Sequence, residues 1–85
     1  MNFQEFYLVR AIDDSGVSGT GVVARGVRLL SGQCVLEWQT QLAGMGIYPN
    51  LTTLLQVHGH SGHTKLMLGN PAFGYAKEFK IGDHE

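Results

Sequence analysis

The chain has little of four things. It carries one cysteine, Cys34, and two prolines. Only 15% of its residues are charged, and no apolar stretch approaches the length of a membrane span. A single cysteine gives no internal disulfide and fits a reducing compartment. Without a run of about 18 apolar residues, no membrane-spanning helix is expected. The first residues, MNFQEFYLVR, lack a basic stretch followed by an apolar one, so no signal peptide is expected. The expected location is the cytoplasm. Basic residues are also scarce: six Lys and Arg face seven Asp and Glu, for a formal net charge of −1. Duplex nucleic acid demands many phosphate neutralisations, so it is not an expected partner.

What the chain has in excess is glycine, twelve in 85 residues. That predicts tight turns and surfaces lined by backbone. The length allows one domain and excludes a full dinucleotide-binding fold or an eight-unit βα barrel. Hydrophobic residues make up 44%, which is not a disordered composition. So short a chain buries a modest share of its surface, and a homo-oligomer is expected.

Alternation predicts a strand over residues 3–12, with Phe6, Leu8 and Arg10 on one face. A turn-forming Asp13-Asp14-Ser15-Gly16 ends it. A second strand is expected over 22–30, with Gly26 marking a bulge or a close backbone approach. A tight Ser31-Gly32 hairpin leads to a third strand over 33–40, whose Cys34, Leu36 and Trp38 share a face. A short strand is expected at 46–48. Asn50 reads as the N-cap of a helix with Leu51, Leu54, Leu55 and His58 on one side, ended by Gly59. Another strand follows over 64–68, a turn at Gly69-Asn70-Pro71, and a weakly alternating strand over 72–81. Residues 82–85 read as a frayed tail. The expected class is α+β: a small antiparallel sheet of four or five strands with one short helix. Residues 1–68 form the compact domain and 69–85 an extension, an extra strand or an assembly arm.

Four groups of residues carry chemistry. In the loop GVSGTG (16–21), Ser18, Gly19, Thr20 and Gly21 offer hydroxyls and inward-pointing amides for a phosphate or carboxylate. The loop is not a dinucleotide fingerprint, a P-loop or a nucleophile elbow. The competing reading is a wide hairpin connection. In the second group, HGHSGH (58–63), three histidines invite a metal. Other ligands would have to come from Asp13, Asp14, Cys34 or His84, and nothing in the sequence places them nearby. No metal and no cofactor is therefore expected, and His58 and His60 read as ligand contacts. The competing reading makes His58 the last helical residue, favoured as a cation by the helix C-terminus. Third, Trp38 and Tyr48 are aromatics able to stack on a base, although Trp38 also fits a core position. Fourth, Arg25 follows the glycine loop and reads as an anion partner. Arg28 lies on the opposite strand face. No nucleophile–base–orienter triad and no carboxylate pair assembles, so a binding module is expected ahead of an enzyme.

Taken together, GVSGTGVVARGV, the apolar strand ending in Trp38, the Tyr-Pro-x-Leu segment and VHGHSGHTKL resemble a family of very small proteins. Its members come from bacteria, haloarchaea and tailed phages, and carry GVSGTG-x-VA-x-GV and HGH-x-G-x-T segments. The resemblance covers residues 5–68. It departs from the pattern at Arg25, where Glu is expected. The family brings no activity to transfer, but its phage setting implies a class of role. Small phage proteins often block host defence, and some, called sponges, sequester nucleotide-derived signals without cutting them. The leading expectation is a sponge of that kind in the host cytoplasm, binding a nucleotide-derived or phosphorylated small molecule. The alternative is an interaction module that inhibits a host protein through its C-terminal strand.

Overall fold

The computed structural model describes residues 3–10, 21–39, 44–59, 62–70, 74 and 76–85. The strands are β1 (Gln4–Arg10), β2 (Gly21–Arg28), β3 (Cys34–Trp38), β4 (Met45–Tyr48), β5 (Thr64–Leu68) and β6 (Lys77–Phe79). One helix, α1 (Leu51–His58), lies between β4 and β5. The strands form one antiparallel sheet in the order β4-β3-β2-β1-β5-β6. The expected class is right, but the sheet has six strands rather than four or five. Four-residue β4 and three-residue β6 are the two edges, and such short pieces leave little alternation to read.

Register explains the core. Phe6 pairs with Gly26, Gly26 with Leu36, and Leu36 with Gly46, so large and small residues alternate along one row of the covered face. A Cβ on Gly26 would lie 2.3 Å from the Val35 carbonyl oxygen and 2.6 Å from Phe6 Cζ. Gly26 therefore marks a close approach, where the Phe6 ring fills the space of a missing side chain. The bulge lies elsewhere, at the Leu8/Val9 step, where β1 passes from pairing with Ala24 to pairing with Val22. The hairpin after β2 also differs from expectation. Leu29 N–H donates to the Gln33 carbonyl and Gly32 N–H to the Leu29 carbonyl, with Gly32 at φ +95°. The loop is thus Leu30-Ser31-Gly32, three residues with the left-handed glycine that such loops need.

Helix α1 packs Leu51, Leu54 and Leu55 on Phe6, Leu8, Leu36 and Leu66. Asn50 is the N-cap, its side chain accepting from Thr53 N–H at 2.7 Å. Gly59 follows the helix in a right-handed conformation, φ −71°, with its N–H on the Leu55 carbonyl. The extension adds β6, and Phe79, 2% exposed, joins the core. Of the strand expected over 72–81, residues 72, 73 and 75 lie outside the described residues. The tail is not frayed at its last position: Glu85 hydrogen-bonds the start of α1.

Cys34 is fully buried on the covered face. Burial, with the nearby Glu85 charge, pushes its thiol up to about 11, against a smaller opposing pull from Arg28. Little thiolate forms at pH 8, and thiolate is the reactive species. Alkylation by iodoacetamide at pH 8 is expected to be negligible in the native protein and complete in urea. Rapid native labelling would mean that the covered face opens.

Candidate functional site

The antiparallel order brings several chain ends to one end of the sheet. Arg10, the last residue of β1, pairs with Gly21 on one side and Thr64 on the other. Trp38, the last residue of β3, pairs with Ala24, and its N–H donates to the Gly44 carbonyl. The end of α1 is tied to the same place, because the Gly59 carbonyl accepts from Thr64 N–H at 3.1 Å and Gly62 N–H at 3.0 Å. The residues that flank the glycine loop and the histidine segment are therefore neighbours across β1.

Three rings meet here. The Tyr48 hydroxyl lies 2.5 Å from His58 Nε2. His58 stands edge-on to Trp38, with ring centroids 4.9 Å apart, and edge-on to Tyr48 at 5.5 Å. Tyr48 belongs to the far end of β4, opposite Cys34. Gly46 explains its reach. A Cβ on Gly46 would sit 2.9 Å from Tyr48 Cε2 and 3.0 Å from its hydroxyl, so the ring lies flat over the glycine and carries the hydroxyl back along the strand. All three rings are half-buried. The hydroxyl and the ring nitrogen can each donate or accept, and the His58 tautomer sets which of them donates.

Arg10 is the residue that sequence reasoning passed over. It is 6% exposed, and its Nε donates to Thr64 Oγ1 at 3.0 Å. A buried guanidinium places fixed positive charge beneath this end of the sheet, the type of group that favours a phosphate. The signal was its shared parity with Phe6 and Leu8.

The expected site residues divide. Tyr48, Trp38 and His58 come together, and Gly21, at φ +82°, opens β2 on the same end. Arg25 does not join them. It lies on the opposite, uncovered face, its Nε 3.3 Å from Glu37 Oε1, and both side chains are exposed. Ser18, Gly19, Thr20 and His60 lie outside the described residues. Among the described residues, no group of three His, Cys, Asp or Glu side chains is arranged to hold a metal. Among the described residues, no helix is long and apolar enough to cross a membrane.

No curated protein and no solved structure matches the chain. Its family, however, is shown. Residues 3–69, which run from just before β1 to the turn after β5 and so hold every described residue of this site, match the family described as Acb5 phage protein. The chain belongs to that phage protein family.

Proposed function

We propose that the protein is a phage anti-defence protein that captures a nucleotide-derived or phosphorylated small molecule at this end of the sheet. The observation that carries the reading is the meeting of Trp38, Tyr48 and His58 at the same end of the sheet as buried Arg10, the end from which the two loops richest in ligand-binding residue types leave. Arg10 supplies positive charge, and His58 supplies a hydrogen-bonding ring nitrogen. Trp38 offers an aromatic surface for a base. Ser18, Gly19, Thr20, Gly21 and His60 are the groups proposed to complete the phosphate contacts. The membership in a phage protein family supports an anti-defence setting.

The Tyr48–His58 hydrogen bond favours a second reading, in which the captured molecule is also cut. A base in this pair takes a proton from water, whose oxygen bonds to phosphorus. The ester P–O bond breaks, and the leaving oxygen takes a proton from the acid. Both readings share the site and differ only in the product.

The proposal includes a second copy of the chain. The uncovered face exposes Val22, Met45 and Ile47, and it carries Arg25 and Glu37 side by side. A face with both charge signs suits twofold pairing, in which each copy sets its basic group against the other's acidic one.

Native mass spectrometry after incubation with a panel of linear and cyclic nucleotides tests these readings together. A dimer or larger assembly carrying an intact nucleotide supports capture. A bound or released phosphomonoester supports cutting. A bare protein that retains no nucleotide overturns both and moves the reading to a protein partner.

A further inference from the structure

At the end of the sheet away from the rings, the chain returns to the start of α1. The Leu51 N–H donates to Glu85 Oε1 at 2.8 Å. The Thr52 N–H and hydroxyl donate to Oε2 at 3.3 Å and 2.9 Å. Asn50 takes the next amide, that of Thr53. The first three amides of the helix are thus satisfied, two of them by a residue 33 or 34 positions away in sequence. Helix starts leave such donors without internal partners, and a carboxylate there also opposes the positive end of the helix dipole. Glu85 lies beyond residues 3–69, the part that carries the family match.

This cap bears on the rings through the length of the helix. An eight-residue helix is about 12 Å long and too short to be stable by propensity alone. Tyr48 stands two residues before its N-cap, and His58 is its last residue. The Tyr48–His58 hydrogen bond therefore closes a unit whose span is set by the helix between them. A first turn that unwinds or slips by one residue changes that span and pulls the hydroxyl away from the ring nitrogen. Leu51, Leu54 and Leu55 hold the helix to the sheet, but they leave the polar ends to their caps.

We infer that Glu85 is a positioning residue, whose grip on the first turn of α1 sets the Tyr48–His58 contact at the other end. The inference rests on the site reading above, but its test does not need a ligand. Arg28 lines the same cleft of about 750 Å³ as Glu85 and Asn50. Arg28 on β2 and Cys34 on β3 are the charged and titratable groups whose fields reach the Glu85 carboxylate. Burial alone would raise its pKa. The hydrogen bonds from Leu51 and Thr52, with the pull of Arg28, outweigh that and hold it below the ordinary glutamate value. A carboxyl depressed on folding contributes stability that is fully present above the unfolded value. The contribution is lost as pH falls through the folded value.

Two measurements by NMR decide it. In the first, the His58 ring signals of the full chain are followed from neutral pH into acid. They are expected to show, besides the imidazole's own titration, a second inflection below the ordinary glutamate range, absent from Glu85→Gln. In the second, Glu85→Ala at neutral pH is expected to speed amide exchange at Leu51 and Thr52 by at least about tenfold and to shift the His58 and Tyr48 ring signals together. Faster exchange with unmoved ring signals would reduce Glu85 to a local cap and overturn the inference. Coupled ring signals with no nucleotide retained would leave Glu85 as the positioning residue and sink the binding reading instead.

Discussion

His58→Ala is expected to weaken retention of the nucleotide by about 10- to 100-fold while the protein stays folded. His58 is half-buried at the end of α1, and its Nε2 lies 2.5 Å from the Tyr48 hydroxyl. A hydrogen bond from such a group to a charged phosphate contributes about 1.5–3 kcal/mol, which is that range of affinity. Tyr48→Phe keeps the ring over Gly46 and removes only the hydroxyl. It is expected to cost affinity in the same direction but by less, because His58 remains. If the bound molecule is cut, both changes lower the rate more than the affinity, by about 10²- to 10⁴-fold for a lost acid or base. Arg25→Ala is the contrast. Its side chain lies on the other face of the sheet, so affinity is expected to stay within about twofold. Isothermal titration of the three variants with the retained nucleotide reads all of this. Equal losses in His58→Ala and Arg25→Ala would place the site on the wrong face.

Gly26→Ala is expected to be the most damaging glycine-to-alanine change among the described residues. The added carbon would lie 2.3 Å from a backbone carbonyl oxygen of β3 and 2.6 Å from a ring that is fully buried. Neither has room to give: Val35 is paired on both sides, to Val27 and Ile47, and Phe6 is packed within the core. Overpacking of this kind costs about 3 kcal/mol, against a total of roughly 3–5 kcal/mol for a core of this size. That leaves a margin of about 0–2 kcal/mol, so a measurable fraction of the protein, up to about half, would be unfolded. Gly32→Ala separates sterics from backbone strain. Its φ is +95° and nothing lies within 4 Å of the added carbon, so only the conformational cost of about 1–2 kcal/mol applies. Urea unfolding followed by Trp38 fluorescence compares the two. A Gly26→Ala protein as stable as Gly32→Ala would mean that β2 and β3 slide apart easily.

Much of this architecture was legible in the residues, and the gaps have physical causes. Strand β5 and helix α1 appear where alternation and helical spacing place them, because Leu66 and Leu51, Leu54 and Leu55 answer to one packed surface. The edge strands were legible only in part, as a short strand at 46–48 and a weak one over 72–81, because three or four residues cannot display a period. The tightness at Gly26 was half legible: a glycine inside a strand signals a bulge or a close approach, and only the register with Phe6 and Val35 decides between them. The meeting of Tyr48 with His58 was not legible at all, since it depends on a ring lying across Gly46. Arg10 and Arg25 show the same limit from another side. Proximity in sequence to the glycine loop favoured Arg25, whereas parity with Phe6 and Leu8 governs which arginine shares the covered face with His58. The ordered Glu85 was hidden because a polar tail gives no local sign of a distant helix needing donors satisfied.

The strand order has one more consequence. Strands β1 to β4 run as a meander of neighbours, each joined to the last by a connection of ten residues or fewer. Strand β5 instead returns past all of them to the free side of β1, and the Arg10–Thr64 contact closes a separation of 54 residues. Closing a long loop costs more chain entropy than closing a short one, and the cost grows with the logarithm of its length. Trp38 and Tyr48 ride on the locally paired half of the molecule. The helix end with His58 is anchored at Thr64, so it is fixed only when the longest loop shuts. The site straddles that seam, and its two sides are delivered by different scales of chain organisation.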